Sequence, residues 1–363
     1  MRRQSGMSLL EVMVAMLIGM IGVLIITQAY ITSDNFNRST VGEGGAQTNG
    51  LIALYSMERD IKGGGYGIAD STVLGCGEAY WYHGGNHSKN ITPTSPLERI
   101  FVAPVHIQTD TTVPLTDPDR ITVMASSESE RMVAGQIRGF ASTTNIVDTD
   151  SKVGFAVNDR VLLVGSTGCT LAKITFVEPD PSQKLQLNPE ASNPPSWGLY
   201  PTSYAVGDSI VNMGPNPVIR TYSINNGKLR VTDPIALAAG TAGAQTDVMD
   251  GIVDLRAQYG KDNGAGGNVP NDYKVDEFSS VTPANSSEWQ QVMSVRIAVL
   301  ARIGTYEKPN SAGECSATVN PPTWSGGIFT AIDVATVTSA DRCYRYRVFE
   351  TTVPLRNMIW RAS

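Results

Sequence analysis

Gly6-Met7-Ser8-Leu9-Leu10-Glu11 is the stretch whose reading decides the fold. It joins a short basic leader, containing Arg2 and Arg3, to a long apolar segment. A secretory signal peptide places its small-residue cleavage site after the apolar stretch, so that stretch is lost. Here the small residue, Gly6, stands before it. Cleavage after Gly6 would leave the apolar helix on the mature chain, with Met7 first and Glu11 fifth.

Working outward, Val12 to Ser33 is a run of 22 residues without a charge. As a helix rising ~1.5 Å per residue it reaches about 33 Å, against a hydrocarbon core of about 30 Å. Val12, Met13, Val14, Ala15, Met16, Leu17, Ile18, Ile21, Val23, Leu24, Ile25 and Ile26 occupy every side of it. A helix apolar all round is buried in lipid or in a large core. The positive leader stays cytoplasmic, which puts the rest of the chain outside the inner membrane. Glu11 is the exception within the apolar segment, and a charge at the centre of a bilayer costs on the order of 3 kcal/mol. Either the carboxylate snorkels into the headgroups, or it meets an opposite charge on a neighbouring helix.

Roughly 300 residues lie beyond the stem, enough for a large core. Charged residues are 17% of the chain, with 35 Gly and 20 Pro. So many turn formers predict a β-rich domain. Formal net charge is −6, and losing Arg2 and Arg3 would make it −8 (−6 − 2). An acidic chain without a basic cluster is not a non-specific nucleic-acid binder.

Past the apolar segment, Leu51, Ile52, Leu54, Tyr55, Met57 and Ile61 keep a helical spacing up to Gly63-Gly64-Gly65-Tyr66-Gly67. Gly42, Gly44, Gly45 and Gly50 fall inside that stem, and each Gly costs a helix about 1 kcal/mol relative to Ala. The stem, 34–67, is therefore expected to be interrupted or easily melted near 42–50, with an ordinary linker between anchor and domain as the alternative. From 71 onward the patterns are β. Asn226-Gly227 between Pro217–Ile224 and Lys228–Val231 predicts a hairpin. Val292–Ile303 reads as a long strand with Arg296 and Arg302 exposed, and Tyr344–Val353 alternates. Asp247–Tyr259 is ambiguous.

Four cysteines, Cys76, Cys169, Cys315 and Cys343, read as two disulfides in an exported domain, with buried free thiols as the alternative. Sequence alone allows three connectivities. Cys315–Cys343 is favoured because both flank a loop-rich segment near the end, leaving Cys76–Cys169. No nucleophile-elbow, phosphate-loop or zinc-protease motif occurs, so the chain is expected to be non-enzymatic and without a cofactor. His83 and His87 have ligand-like spacing, but Gly84, Gly85 and Asn86 between them disfavour an aligning helix. Asp262, Asn263 and Asp272 make an oxygen-rich loop and a weak Ca²⁺ candidate; a turn-forming loop is the simpler reading.

The leader, Gly6 and Glu11 together resemble the type III signal of type IV pilins and pseudopilins. Met57–Lys62 with Gly65-Tyr66-Gly67, then Val253–Asp262, Val295–Arg302 and Tyr346–Asn357, resemble the PilW-type minor pilins. The resemblance implies an α+β fold: a transmembrane and stem helix followed by a large β-rich periplasmic domain. It divides the chain into leader 1–6, transmembrane half 7–33, stem 34–67 and globular domain 71–363. It implies cleavage by a prepilin peptidase after Gly6, N-methylation of Met7, and a charge pairing of Glu11 with a neighbouring subunit's N-terminal amine. The expected partners are other minor pilins, the major pilin, a tip adhesin and the inner-membrane assembly platform. The expected place is the inner membrane, then the pilus fibre near its tip. Two residues depart from the pattern: Met7 stands where Phe is commoner, and Gln28 where major pilins often have Pro. Any softening of the helix would then come from Gly19, Gly22 or the stem glycines. A J-type pseudopilin of type II secretion, or a pilin-anchored adhesin using loops such as 78–118, are the rival readings.

Overall fold

The computed structural model describes residues 9–76, 79–81, 89–90, 101–109, 117–127, 133–141, 144–166, 168–187, 204–234, 236 and 242–359. Helix α1 runs unbroken over Leu9–Gly63, 55 residues. The strands follow in order: β1 Ala79–Trp81, β2 Lys89–Asn90, β3 Val105–Gln108, β4 Arg120–Ala125, β5 Gly135–Ala141, β6 Ile146–Thr149 and β7 Arg160–Gly165. Next come β8 Gly168–Val177, β9 Lys184–Leu187, β10 Ser209–Gly214, β11 Val218–Asn225, β12 Lys228–Thr232 and β13 Gln245–Asp250. The last are β14 Ile252–Lys261, β15 Glu277–Ser279, β16 Val292–Arg302, β17 Thr323–Trp324, β18 Gly327–Ile328 and β19 Tyr346–Pro354.

These strands make three larger sheets and a small ribbon, β17-β18. The first sheet has the order β2-β1-β8-β7-β10-β5-β6-β9, and β9 returns to pair with β8. Six strands therefore close into a barrel, and β1 and β2 extend it from β8. Alternate residues point inward, as the two-residue strand period requires. Val161 and Leu163 of β7, Ala172 and Ile174 of β8, and Ile210 of β10 fill the barrel with Ile137, Val147, Leu185 and Leu187. The second sheet is β13-β12-β11-β4-β3, and the third is β15-β14-β16-β19. In the β11–β12 hairpin, Asn226 and Gly227 both take positive φ, 50° and 71°. That is the turn the Asn-Gly pair predicts, because the pair tolerates left-handed backbone. Gly251, φ 76°, separates β13 from β14 and lets the chain pass between sheets.

The two flat sheets and α1 share one core. Ala46, Ala53, Leu54, Met57 and Ile61 of α1 meet Ile121, Val123, Tyr222 and Leu229 of the second sheet, and Leu255, Val295, Ile297 and Val353 of the third. The other face of β16 buries Ala298 and Leu300 under Phe329, Ile332 and Val334. Arg296 and Arg302 on that face are half-buried rather than exposed. Their guanidinium carbons lie 3.5 Å and 4.6 Å from the ring centroids of Phe278 and Tyr344. A cation over an aromatic face keeps its charge compensated while its stem is covered.

The expected break at 42–50 is absent. Two of its glycines are packing residues. A Cβ at Gly42 would stand 2.9 Å from Thr305 Oγ1 and 3.1 Å from the Ile303 side chain, and one at Gly50 would strike the Phe349 ring. The local helix cost of these glycines is offset by the close approach they allow. The stem also ends earlier than 67: turns take over at Gly64, and Gly65 and Gly67 have φ of 83° and 74°.

Candidate functional site: the N-terminal helix and its seat

The site is a helix with two environments. Leu9–Asp34 is long and apolar enough to cross a membrane, with mean hydropathy 2.7 and none of its most apolar window buried inside the molecule. Leu9, Leu10, Met13, Met16, Leu17 and Ile18 are each more than 60% exposed. Glu11 lies in the first turn of α1, exposed among them. The hydroxyls of Thr27 and Thr32 donate to the carbonyls of Val23 and Gln28, at 2.7 and 2.9 Å. Each is thereby satisfied within the helix, as a bilayer demands. Gly19 and Gly22 have nothing within 4 Å of a Cβ position, so both offer open helix surface. Gly6 and Met7 lie outside the described residues.

The second half of α1 is seated firmly. Tyr222 Oη donates to Asp60 Oδ2 at 2.7 Å, and Arg220 Nη1 donates to the same oxygen at 2.8 Å. Burial, and then Asp60, push the Tyr222 hydroxyl well above its ordinary range. Asn357 Nδ2 donates to the carbonyls of Gly63 and Gly64, at 3.2 and 3.0 Å. These are C-terminal carbonyls that a helix leaves without intrahelical partners. The quoted landmark stretches thus converge: Met57 and Ile61 share a core with Leu255, Val295, Ile297 and Val353, and Asn357 caps the helix they belong to.

A buried charged cluster lies behind this seat, and no sequence pattern announced it. Asp119 donates its N–H to Leu255 O at 2.8 Å and accepts from Ala257 N at 2.9 Å, which ties the entry of β4 to β14. Arg256 Nε stands 3.0 Å from Asp254 Oδ1, its Nη1 3.7 Å from Asp119, and its Nη2 donates to Thr330 Oγ1 at 2.9 Å. Two carboxylates share one guanidinium, and burial pushes the Asp119 carboxyl up to about 6. Nearby in β3, His106 is buried against Phe101, and burial lowers it to about 4.

The other sequence candidates have the following surroundings. Asp262 is fully buried and accepts from the backbone N–H of Asn271 and Tyr273, at 2.5 and 2.7 Å. Asn263 donates to Glu277 at 2.8 Å, and Asp272 holds Lys274 at 2.9 Å. The loop's oxygens are engaged in holding its own turns, as a turn-forming loop requires. Among the described residues no group of three or more His, Cys, Asp or Glu could hold a metal. His83, His87 and most of 78–118 lie outside the described residues. Disulfides join Cys76 to Cys169 and Cys315 to Cys343.

Residues 1–27 match the prokaryotic N-terminal methylation motif, and residues 204–357 match the family described as Type IV Pilus-assembly protein W. The chain carries a PilW domain behind a prepilin-type methylation motif. No curated protein and no solved structure matches it. The PilW match takes in the whole third sheet, β11–β13 of the second, and β10 of the barrel. Both matched families are structural components of pili. Together they support a minor pilin related to the type IV pilus, and the motif with the apolar half of α1 fits a membrane-anchored pilin.

Proposed function

We propose that this protein is a minor pilin that helps to initiate assembly of a type IV pilus, in a complex with other minor pilins near the tip. The observation that carries this reading is the 26-residue apolar segment Leu9–Asp34, exposed throughout its most apolar window and continuous with a helix seated on a PilW domain. Apolar side chains exposed on a helix all round need lipid or neighbouring helices to cover them. Before assembly the segment sits in the inner membrane, with the leader cytoplasmic and the β-domain periplasmic. A prepilin peptidase cuts after Gly6, and Met7 becomes the N-methylated first residue. The assembly platform then draws the helix out of lipid and into a bundle of pilin helices, beside the major pilin and below a tip adhesin. No step requires catalysis by this chain.

Glu11 has its role in the transfer. In lipid its carboxylate is costly; beside the N-terminal amine of an adjacent subunit, each charge lowers the other's desolvation penalty. The pair sets register between helices. Glu11→Gln keeps the shape and removes the charge. The variant is expected to be inserted and cleaved normally but to be depleted several-fold from sheared pili, read by immunoblot against the membrane pool. Wild-type incorporation of Glu11→Gln would refute the charge pairing and leave the interfacial role of Glu11 in its place.

A further inference from the structure

The second sheet is interrupted in sequence but not in space. β4 ends at Ala125 and β11 begins at Val218, and these two residues face each other in register. Among the described residues, every residue of the barrel core, from Ile137 to Ile210, lies between them. The barrel touches the rest of the molecule through its outer face. There Leu162, Val164, Leu171, Val211 and Met213 pack on Ile68, Val73, Val102, Met124 and Ile219. The Cys76–Cys169 bond fastens the same contact. Ile68, Val73 and Cys76 follow the C-terminal end of α1, so the barrel sits at the end of the helix remote from Leu9–Asp34.

We propose that the barrel is an inserted accessory head: it folds around its own core at the membrane-distal end, and entry of the subunit into the pilus proceeds without it. The assembly part of this inference rests on the pilin reading above. Incorporation then runs through α1 and the two flat sheets, which share a separate core. A head so placed meets what lies beyond the subunit rather than the helices beside it.

The test uses the full chain and two matched core truncations. Leu163 in the barrel and Ile297 in the third sheet are both fully buried. In detergent, Leu163→Ala is expected to speed amide hydrogen exchange in β5–β10 by at least about tenfold while β14, β16 and β19 exchange as in wild type. In cells it should enter sheared pili at wild-type levels. Ile297→Ala should show the reverse on both readouts. Equal acceleration of β14, β16 and β19 in Leu163→Ala would overturn the separate folding of the barrel. Exclusion from pili of a Leu163→Ala protein whose third sheet is intact would overturn its dispensability. Absence of wild type itself from sheared pili would defeat the pilin reading instead, and the exchange comparison would still decide whether the barrel is a separate unit.

Discussion

The two halves of α1 obey the same backbone rules and live in different solvents. Met16 is 68% exposed and Met57 is fully buried, although one continuous helix holds both. In the second half, one apolar face at 46, 53, 54, 57 and 61 is covered by the chain's own sheets, while Leu51, Ile52 and Tyr55 stay exposed. In the first half they surround the helix, and none of the described residues buries its most apolar window. A helix that is amphipathic at one end and apolar all round at the other is divided between a folded domain and an external apolar phase. Secondary structure alone would not tell these halves apart; burial does.

The largest effect expected concerns the apolar half. Gly6→Val should block cleavage almost completely, leaving full-length precursor in the membrane, its apolar half still in lipid. Intact-mass measurement decides it, and residues 1–6 found on assembled wild-type subunits would sink the idea. Next, the halves should answer differently to one truncation. Met57→Ala should destabilise the β-domain by roughly 2–5 kcal/mol, while Met16→Ala should leave its unfolding midpoint unchanged. Fluorescence of Trp289, buried edge-on to Tyr259, reports the transition in the detergent-solubilised chain. Equal shifts for both variants would abolish the distinction.

The domain half also has an internal pH balance. Asp119 sits at about 6 in the fold against an ordinary 3.8, so its contribution to stability grows as pH falls through 6 towards 4. His106 sits at about 4 against 6.5, so its contribution is present above 6.5 and is lost over the same fall. Each shift of about two units is worth about 3 kcal/mol, and the two oppose one another. Asp119→Asn should remove the first and expose the second. Between pH 6.5 and 4 the variant should lose up to about 3 kcal/mol more than wild type, measured by denaturant titration at each pH. Parallel pH profiles would disprove the opposition. The smallest effects belong to the stem glycines. Gly50→Ala meets Phe349 and should cost about 1–3 kcal/mol, whereas Gly45→Ala meets nothing and should be neutral or gain up to about 1 kcal/mol. Equal responses would mean that packing does not explain why the helix continues.

Much of this was legible in the chain because the signals were local. The apolar run, the Asn226-Gly227 hairpin and the alternation around Val295 need only neighbours a few residues apart. The unbroken stem was not legible, because what offsets Gly42 and Gly50 is Thr305 and Phe349, far away in sequence. The barrel was hidden for a similar reason. β6 and β9 are four residues each, too short for a strong period, and closure depends on β9 meeting β8. Nor did spacing reveal that Asp119 would face Arg256. Of the candidate site, Glu11 and the cysteines stood out by residue type; the seat of the helix, with Asp60, Arg220, Tyr222 and Asn357, emerged only in three dimensions.

Asn357 capping Gly63 has a consequence in time. The chain is made from its N-terminus, so the stem emerges first and the residues that seat it emerge last. Val353, Leu355 and Asn357 must be in place before Met57 and Ile61 can be fully covered and the helix end satisfied. Until then the stem shows its surroundings an open apolar stripe, the kind of surface on which chaperones act and chains aggregate. A chain cut short anywhere before β19 would keep that stripe open for good, so the seat of the helix also registers that synthesis has passed β19.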